Sequence, residues 1–264
     1  MNKFFYILLA LIVLNSCSPY QKALKSEDVG VKFEVATKMY EQKKYTKALR
    51  LFEDIAPAYR GKPQAEKMFY MYGKSFYAIK EYYSAGYQFE SFASSYPKSE
   101  KLEEVSYLGA ISYSKLSPVY SLDQVDTYKA IDKLQAFINN FPNSQYMGEA
   151  NILVKSLREK LEFKSFEIAK QYNTISDHKS ALVALDNFIS DYPGTPYKEK
   201  ALFYKLDSAY KLAVNSVQAK MQERLLVAKS AYSSLIKFNA ATKFKAEADE
   251  MLLRIDTDLK QFSK

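Results

Sequence analysis

Residues 82–97 read YYSAGYQFESFASSYP. Apolar and small side chains recur in this stretch at offsets of 0, 3, 7, 10 and 14 residues, as Tyr82, Ala85, Phe89, Phe92 and Tyr96. These spacings place all five side chains on one stripe of an α-helix. The proline that follows cannot continue a helix and disfavours helical geometry in the residue before it. The stretch therefore predicts an amphipathic helix that ends at residue 96.

The same pattern occurs four more times along the chain. The copies are Tyr45, Ala48, Phe52, Ile55, Tyr59; Thr127, Ala130, Leu134, Phe137, Phe141; His178, Ala181, Leu185, Phe188, Tyr192; and, more degenerate, Leu225, Ala228, Tyr232, Leu235, Asn239. An alanine holds the second slot in every copy, as a close helix–helix crossing requires. With only 7 Gly and 8 Pro in 264 residues, turn signals are too few for a β-rich fold.

A partner helix is predicted upstream of each copy. In the second unit Phe69, Tyr72, Gly73 and Phe76 precede Ala85, and the set matches the tetratricopeptide pattern of aromatic and small residues. Two amphipathic helices cannot each bury a face alone, so stacked pairs share a continuous core. We therefore predict an all-α fold, a tetratricopeptide-like helix-pair solenoid of about five repeats.

The units depart from the usual 34-residue period, since their spacings range from 37 to 51 residues. We expect an inserted loop around Ser117–Val125 and a long, unbroken helix between Ser144 and Tyr172. The predicted organisation is a signal peptide (1–16), a lipidated linker (17–30), units one to three (31–144), and units four and five with the long connecting helix (145–264).

The N-terminus resembles that of bacterial lipoproteins. A basic start is followed by 11 apolar residues, Phe4–Leu14, which are too few to span a ~30 Å hydrocarbon core. The next residues, Leu14-Asn15-Ser16-Cys17, resemble a lipobox, in which the cysteine is acylated and becomes the first residue of the mature protein. An N-terminal anchor that is never cleaved is the alternative.

The composition argues against several functional classes. The net charge is +8, yet an exported protein does not meet nucleic acid, so anionic lipid headgroups or acidic partner surfaces are the better targets. His178 is the one histidine and occupies a packing slot of the repeat, while Cys17 is the one cysteine. No nucleophile motif, phosphate-binding glycine loop or metal-ligand spacing is present. We therefore predict no enzymatic activity, no cofactor and no metal.

A possible binding surface lies on the first helix of each pair. Aromatic residues recur there beside the core stripe, and a lysine lies among them. The candidate peptide-binding concave face comprises Phe33, Tyr40, Tyr70, Lys74, Tyr77 and Tyr113. Rigid aromatic rings suit an extended apolar peptide, and the lysine suits its terminal carboxylate. The alternative is that these rings pack against the neighbouring unit.

The lipobox followed by divergent tetratricopeptide units resembles the BamD family, lipoproteins of the outer-membrane β-barrel assembly machinery. The resemblance is carried by residues 36–53, ATKMYEQKKYTKALRLFE, and by the stretch Leu157–Tyr197. It implies a scaffold on the periplasmic side of the outer membrane, anchored through Cys17. The N-terminal units would receive unfolded outer-membrane proteins through their C-terminal signals, and the C-terminal half would dock on BamA.

Two other classes of exported lipoprotein compete with this interpretation. Tetratricopeptide scaffolds of cell division or envelope organisation usually carry a coiled-coil segment before the repeats, and Ser18–Val29 is too short for one. Nutrient-binding lipoproteins with embedded helix repeats are about twice as long and use tryptophan to stack on sugars, whereas this chain has no tryptophan.

Overall fold

A computed structural model describes residues 18–262; the predicted signal peptide, Cys17 and the last two residues lie outside this range. Within it, all regular secondary structure is helical. The α-helices are α1 Pro19–Lys25, α2 Val29–Glu41, α3 Tyr45–Tyr59, α4 Ala65–Ala78, α5 Tyr82–Ser95, α6 Leu102–Leu116, α7 Val125–Asn140, α8 Met147–Thr174, α9 His178–Asp191, α10 Lys198–Val214, α11 Gln218–Phe238 and α12 Lys245–Leu259, followed by a 3₁₀ turn, Lys260–Phe262. None of the helices in the described range has the length and apolarity needed to cross a membrane.

Consecutive helices form the predicted pairs, α2/α3, α4/α5, α6/α7, α8/α9 and α10/α11, and α12 closes the series. Inside the first compact unit α2 also contacts α4, and inside the second α10 contacts α12. The prediction of an all-α fold of tetratricopeptide-like helix pairs is confirmed.

The repeated alanine stripe forms the core of these pairs. All five alanines are completely buried: Ala48, Ala85, Ala130, Ala181 and Ala228. The large side chains at the third slot, such as Phe52 and Phe89, are buried beside them. A residue as small as alanine lets two helix backbones approach closely while larger neighbours fill the space on either side.

The chain divides into two compact units. The first contains the residues up to Pro118 together with Val125–Val154, and the second contains Val119–Gln124 together with the residues from Lys155 onward. The division thus falls within α8, whereas the sequence analysis places a boundary after residue 144. The segment predicted as a linker, 17–30, contains α1 and the start of α2.

The turn inside a helix pair has an unexpected residue at its key position. Lys43, Lys80 and Ser176 adopt left-handed backbone geometry, with φ of 58°, 67° and 64°. After α4, the amide of Lys80 donates to the carbonyl of Tyr77 (3.0 Å), and the next amide reaches back to the carbonyl of Phe76 (3.0 Å). This is the Schellman arrangement, in which glycine is the usual residue. It stops the first helix directly after the tyrosines of the candidate site.

Candidate functional site

The candidate site lies in the first compact unit, on the first helices of successive pairs. Tyr40 is near the end of α2, and Tyr70, Lys74 and Tyr77 are on α4. Spacings of four and three residues put the three α4 side chains on one face of that helix. All four side chains are half-buried, so each packs along its stem and leaves part of its surface accessible.

A carboxylate from the next first helix, α6, occupies the centre of this face. The Tyr70 hydroxyl donates to both carboxylate oxygens of Glu104, at 2.9 and 3.0 Å. The Lys74 ammonium donates to Glu104 Oε1 at 2.9 Å. The ammonium groups of Lys74 and Lys101 also lie 5.7 and 5.8 Å from the centre of the Tyr70 ring. One phenol and one ammonium therefore already hold a carboxylate here.

These contacts set the charge states of Tyr70 and Glu104. Burial, and then the hydrogen bond to Glu104, raise the pKa of Tyr70 above its usual value. Burial alone would raise the pKa of Glu104, but its hydrogen bonds from Lys74 and Tyr70 outweigh that effect and the pKa is lowered. At neutral pH the phenol therefore stays a donor and the carboxylate stays charged.

The tyrosines at the ends of α2 and α4 are held by ring contacts with the helix that follows. The Tyr40 and Tyr45 rings meet edge to face, with centroids 5.7 Å apart and an interplanar angle of 71°. The Tyr77 and Tyr82 rings, 37 residues later, repeat this geometry, also at 5.7 Å and 71°. In each pair the first residue of the second helix fixes the last tyrosine of the first helix. The site therefore has the period of the repeat.

The structure shows a ring contact between two tyrosines that the sequence analysis did not select, although Tyr107 is only 6% exposed. Tyr107 on α6 stacks on Tyr146, with centroids 4.2 Å apart and planes 7° from parallel. Burial, and then a hydrogen bond to Glu149, raise the pKa of Tyr107. A strict 37-residue period links Phe33, Tyr70 and Tyr107 and would have found it. The sequence analysis did not apply this period.

Phe33 and Tyr113 are placed differently from the other four predicted residues. Phe33 is 7% exposed and its ring lies 5.0 Å from the Tyr59 ring. Tyr113 is 3% exposed and donates to Glu90 Oε2 at 3.0 Å. The packing interpretation therefore describes these two residues. Only Tyr40, Tyr70, Lys74 and Tyr77 retain accessible surface.

A groove of 520 Å³ opens beside this face. Its lining combines rings and apolar surface with both signs of charge: Tyr40, Glu41, Pro63, Glu66, Lys67, Tyr70, Met71 and Lys101. This volume is in the range of small-ligand sites, and an aromatic side chain fits it. The groove thus lies next to the Tyr70–Glu104–Lys74 cluster.

The described residues show no arrangement typical of a metal centre. Within residues 18–262, no three His, Cys, Asp or Glu side chains are grouped so that they could hold a metal ion. His178 is half-buried at the first residue of α9, in the packing slot where the repeat predicts it. The face described above carries aromatic rings, cations and hydrogen-bond donors.

Comparison with known proteins identifies the family. No curated protein matches the chain. Two similar crystal structures are of nearly identical TPR-like repeats from Podosopora anserina, and one of them carries a single substitution. Each is 13% identical in sequence to this chain. The alignments cover 78% and 79% of this chain and 95% and 98% of the matched chains, with TM-scores of 0.33 and 0.32. The model of the YfiO family, described as "Outer membrane lipoprotein", matches residues 27–260. Since that match covers most of the sequence, the chain belongs to this family of BamD-like outer membrane lipoproteins.

Proposed function

We propose that the protein is a non-catalytic scaffold of the outer-membrane β-barrel assembly machinery, which binds unfolded outer-membrane proteins and docks on BamA. In this proposal Cys17 carries the acyl chains and the helical repeats face the periplasm. Membership of the outer membrane lipoprotein family supports the setting. The observation that carries the binding role is the Tyr70–Glu104–Lys74 cluster, because it holds a carboxylate beside half-buried aromatic rings.

A client that ends in an aromatic residue offers two groups that fit this face. Its terminal carboxylate would replace Glu104 on the Lys74 ammonium and the Tyr70 hydroxyl, so the two protein donors would not be left unpaired. Glu104 then acts as an internal occupant that a client must displace. In this proposal the Glu104 side chain, on α6, rotates away from its donors on α4 when a client binds.

The aromatic ring of the client would enter the adjoining 520 Å³ groove between Tyr40 and Tyr70. Pairs of aromatic rings contribute about 0.5–1.5 kcal/mol beyond the area they bury. The Lys101 ammonium, already 5.8 Å from the Tyr70 ring, adds positive charge at the same edge. Several such contacts along an extended segment suit a chaperone-like interaction that must later release its client.

A peptide with a C-terminal phenylalanine tests this proposal directly. The soluble protein, Cys17→Ser without the signal peptide, should bind the free acid more tightly than the amide of the same peptide. Lys74→Ala should remove that preference, whereas Tyr40→Ala should weaken both forms. The matched control is Lys133→Ala, because Lys133 pairs with Glu90 at 2.6 Å beside the buried Tyr113.

Glu104 supplies a second test, in which the substitution should strengthen peptide binding rather than weaken it. Glu104→Gln removes the competing anion but keeps an oxygen that accepts from Tyr70 and Lys74. Binding of the free-acid peptide should therefore become several-fold tighter, while binding of the amide should hardly change. If the substitution weakens the free acid and the amide equally, the carboxylate is not recognised at this position.

The cellular role needs a separate measurement. Depletion of the protein should lower the amount of folded β-barrel proteins in the outer membrane. Normal barrel levels after depletion would exclude the assembly role and favour a scaffold of cell division or envelope organisation. Docking on BamA is tested by co-purification of the full-length lipoprotein with BamA.

A further inference from the structure

The short helix α1 is docked on the first helix pair rather than hanging free. Ala23 is completely buried, and Tyr20 and Leu24 pack against the core of the pair. Spacings of three and four residues place these side chains on one face of α1. Ser18 caps the helix by accepting a hydrogen bond from the amide of Gln21 at 3.3 Å. The described chain is therefore fixed to the body of the protein from its first few residues.

The beginning of α1 lies beside the turn between α2 and α3. The Lys47 ammonium is 5.2 Å from the centre of the Tyr20 ring. Cys17 precedes Tyr20 by three residues, and three extended residues span at most about 10 Å. Chain length alone therefore limits the separation of the proposed lipid attachment point from Tyr20 to about 10 Å.

Positive charge is concentrated around this point. Exposed lysines come from the α2–α3 turn, from the first turn of α3 and from the outer face of α1: Lys22, Lys25, Lys43, Lys44 and Lys47. We call these five residues the anchor-proximal lysine cluster. Residues 18–50 carry seven lysines and one arginine against four carboxylates, Glu27, Asp28, Glu34 and Glu41.

The lysines of the cluster have no carboxylate partner, unlike some other lysines of the first unit. Lys32 and Lys74 form ion pairs with Asp54 and Glu104. In the described part of the chain, none of the five cluster lysines forms an ion pair; Lys44 contacts only a neutral amide oxygen, at 2.8 Å. Their charge is consequently available to an external anion.

We infer that the anchor-proximal lysine cluster binds the anionic phospholipid headgroups of the leaflet that holds the lipid anchor. The inference rests on the proposed attachment of acyl chains at Cys17. A headgroup layer is the anionic surface that must lie next to an acylated residue. Acyl chains combined with a basic patch hold a protein more firmly than the chains alone.

The contact also has a consequence for the binding face. The amide of Lys43 donates to the carbonyl of Tyr40 at 2.8 Å, so the candidate peptide site begins within one turn of the cluster. With the lysines at the headgroups, Tyr40 lies close to the membrane surface. An unfolded client would thus be received near the bilayer into which it must insert.

The test uses the full mature chain with Cys17→Ser, so that no acyl chain contributes, and vesicles of phosphatidylcholine with or without phosphatidylglycerol. Binding is expected only to the anionic vesicles, and it should weaken as salt shortens the Debye length from about 10 Å to about 3 Å. The triple variant Lys43→Gln, Lys44→Gln, Lys47→Gln should bind about 100-fold more weakly, since each lysine near an anionic surface contributes roughly fivefold.

The matched control removes the same charge elsewhere. Lys179→Gln, Lys220→Gln and Lys237→Gln change three exposed lysines of the second compact unit and should leave vesicle binding nearly unchanged. Circular dichroism checks that both triple variants remain folded.

The inference is overturned if the two triple variants lose binding equally, if anionic vesicles are not bound, or if millimolar inorganic phosphate displaces the protein from them. Failure of the anchor proposal gives a different result. In that case the acylation-competent chain and its Cys17→Ser variant would distribute equally between membrane and soluble fractions in cells.

Discussion

Replacing Gly73 with alanine should destabilise the protein, although alanine is the better helix former. Gly73 lies inside α4 and faces α5 in the second helix pair. A Cβ atom at this position would be 2.7 and 2.9 Å from Cε1 and Cδ1 of the Phe89 ring. Phe89 is among the largest fully buried side chains, so a shift of its ring disturbs the packing of this helix pair.

Two opposing contributions decide the magnitude. Alanine gains about 1 kcal/mol over glycine in a helix interior. Overpacking a dense core costs about 1–3 kcal/mol, and a contact far inside the van der Waals distance belongs in the upper part of that range. We therefore expect Gly73→Ala to lower the free energy of unfolding by about 1–2 kcal/mol. Because α4 carries Tyr70, Lys74 and Tyr77, its displacement should also weaken peptide binding.

Urea unfolding followed by circular dichroism measures the effect. Gly148→Ala is the matched control, because a Cβ atom there meets nothing within 4 Å, and it should be neutral or stabilising. In a Phe89→Leu background the smaller side chain should relieve the clash, so that Gly73→Ala costs less than it does in the wild type. A Gly73→Ala protein at least as stable as the wild type would show that α4 and α5 do not need a residue without a Cβ atom at position 73.

Three further outcomes follow from the local geometry. Lys80→Gly should stabilise the protein by up to about 1 kcal/mol, because glycine adopts the left-handed turn conformation without strain. Lys179→Gly, in the first turn of α9, has no such conformation to relieve and should not stabilise the protein; thermal melts compare the two. The hydrogen bonds of Glu104 outweigh its burial and lower the pKa of its carboxyl group in the folded protein. The ionised carboxylate therefore stabilises the fold above the unfolded-state pKa of about 4.3, and this stabilisation is lost as the pH falls through the folded-state pKa. Glu104→Gln should thus reduce stability near pH 7, and its deficit relative to the wild type should shrink as the solution is acidified below about pH 4.3, which unfolding curves at several pH values will show. Asn173→Ala should cost about 1–3 kcal/mol in urea unfolding, because its amide donates to the buried carboxylate of Asp207 at 2.7 Å; a cost below about 0.5 kcal/mol would show that water replaces it.

The helices and their buried faces were predictable from the sequence. A stripe such as Ala85, Phe89 and Phe92 depends only on spacing along a helix, which is a local property of the chain. The prolines after residues 96, 141 and 192 end helices for an equally local reason. The signal peptide and Cys17 are also local features of the sequence, and they stay predictions because they lie outside residues 18–262.

The turns within the helix pairs were not predictable in the same way. Lys43, Lys80 and Ser176 take a backbone conformation for which glycine is the usual signal. Nothing in their side chains indicates it. The packing of the following helix imposes the geometry, and the cost of the left-handed conformation is met by contacts distant in sequence.

The candidate site shows what only the tertiary structure decided. The sequence placed a ladder of aromatic residues on the first helices, but it could not separate the buried Tyr113 from the half-buried Tyr77. Nor could it pair Lys74 with Glu104, because the two residues are 30 positions apart and meet only when α4 packs beside α6. Amphipathic spacing specifies which side of a helix is apolar. The neighbouring helix determines which ring at the edge of that side is covered and which charge is already paired.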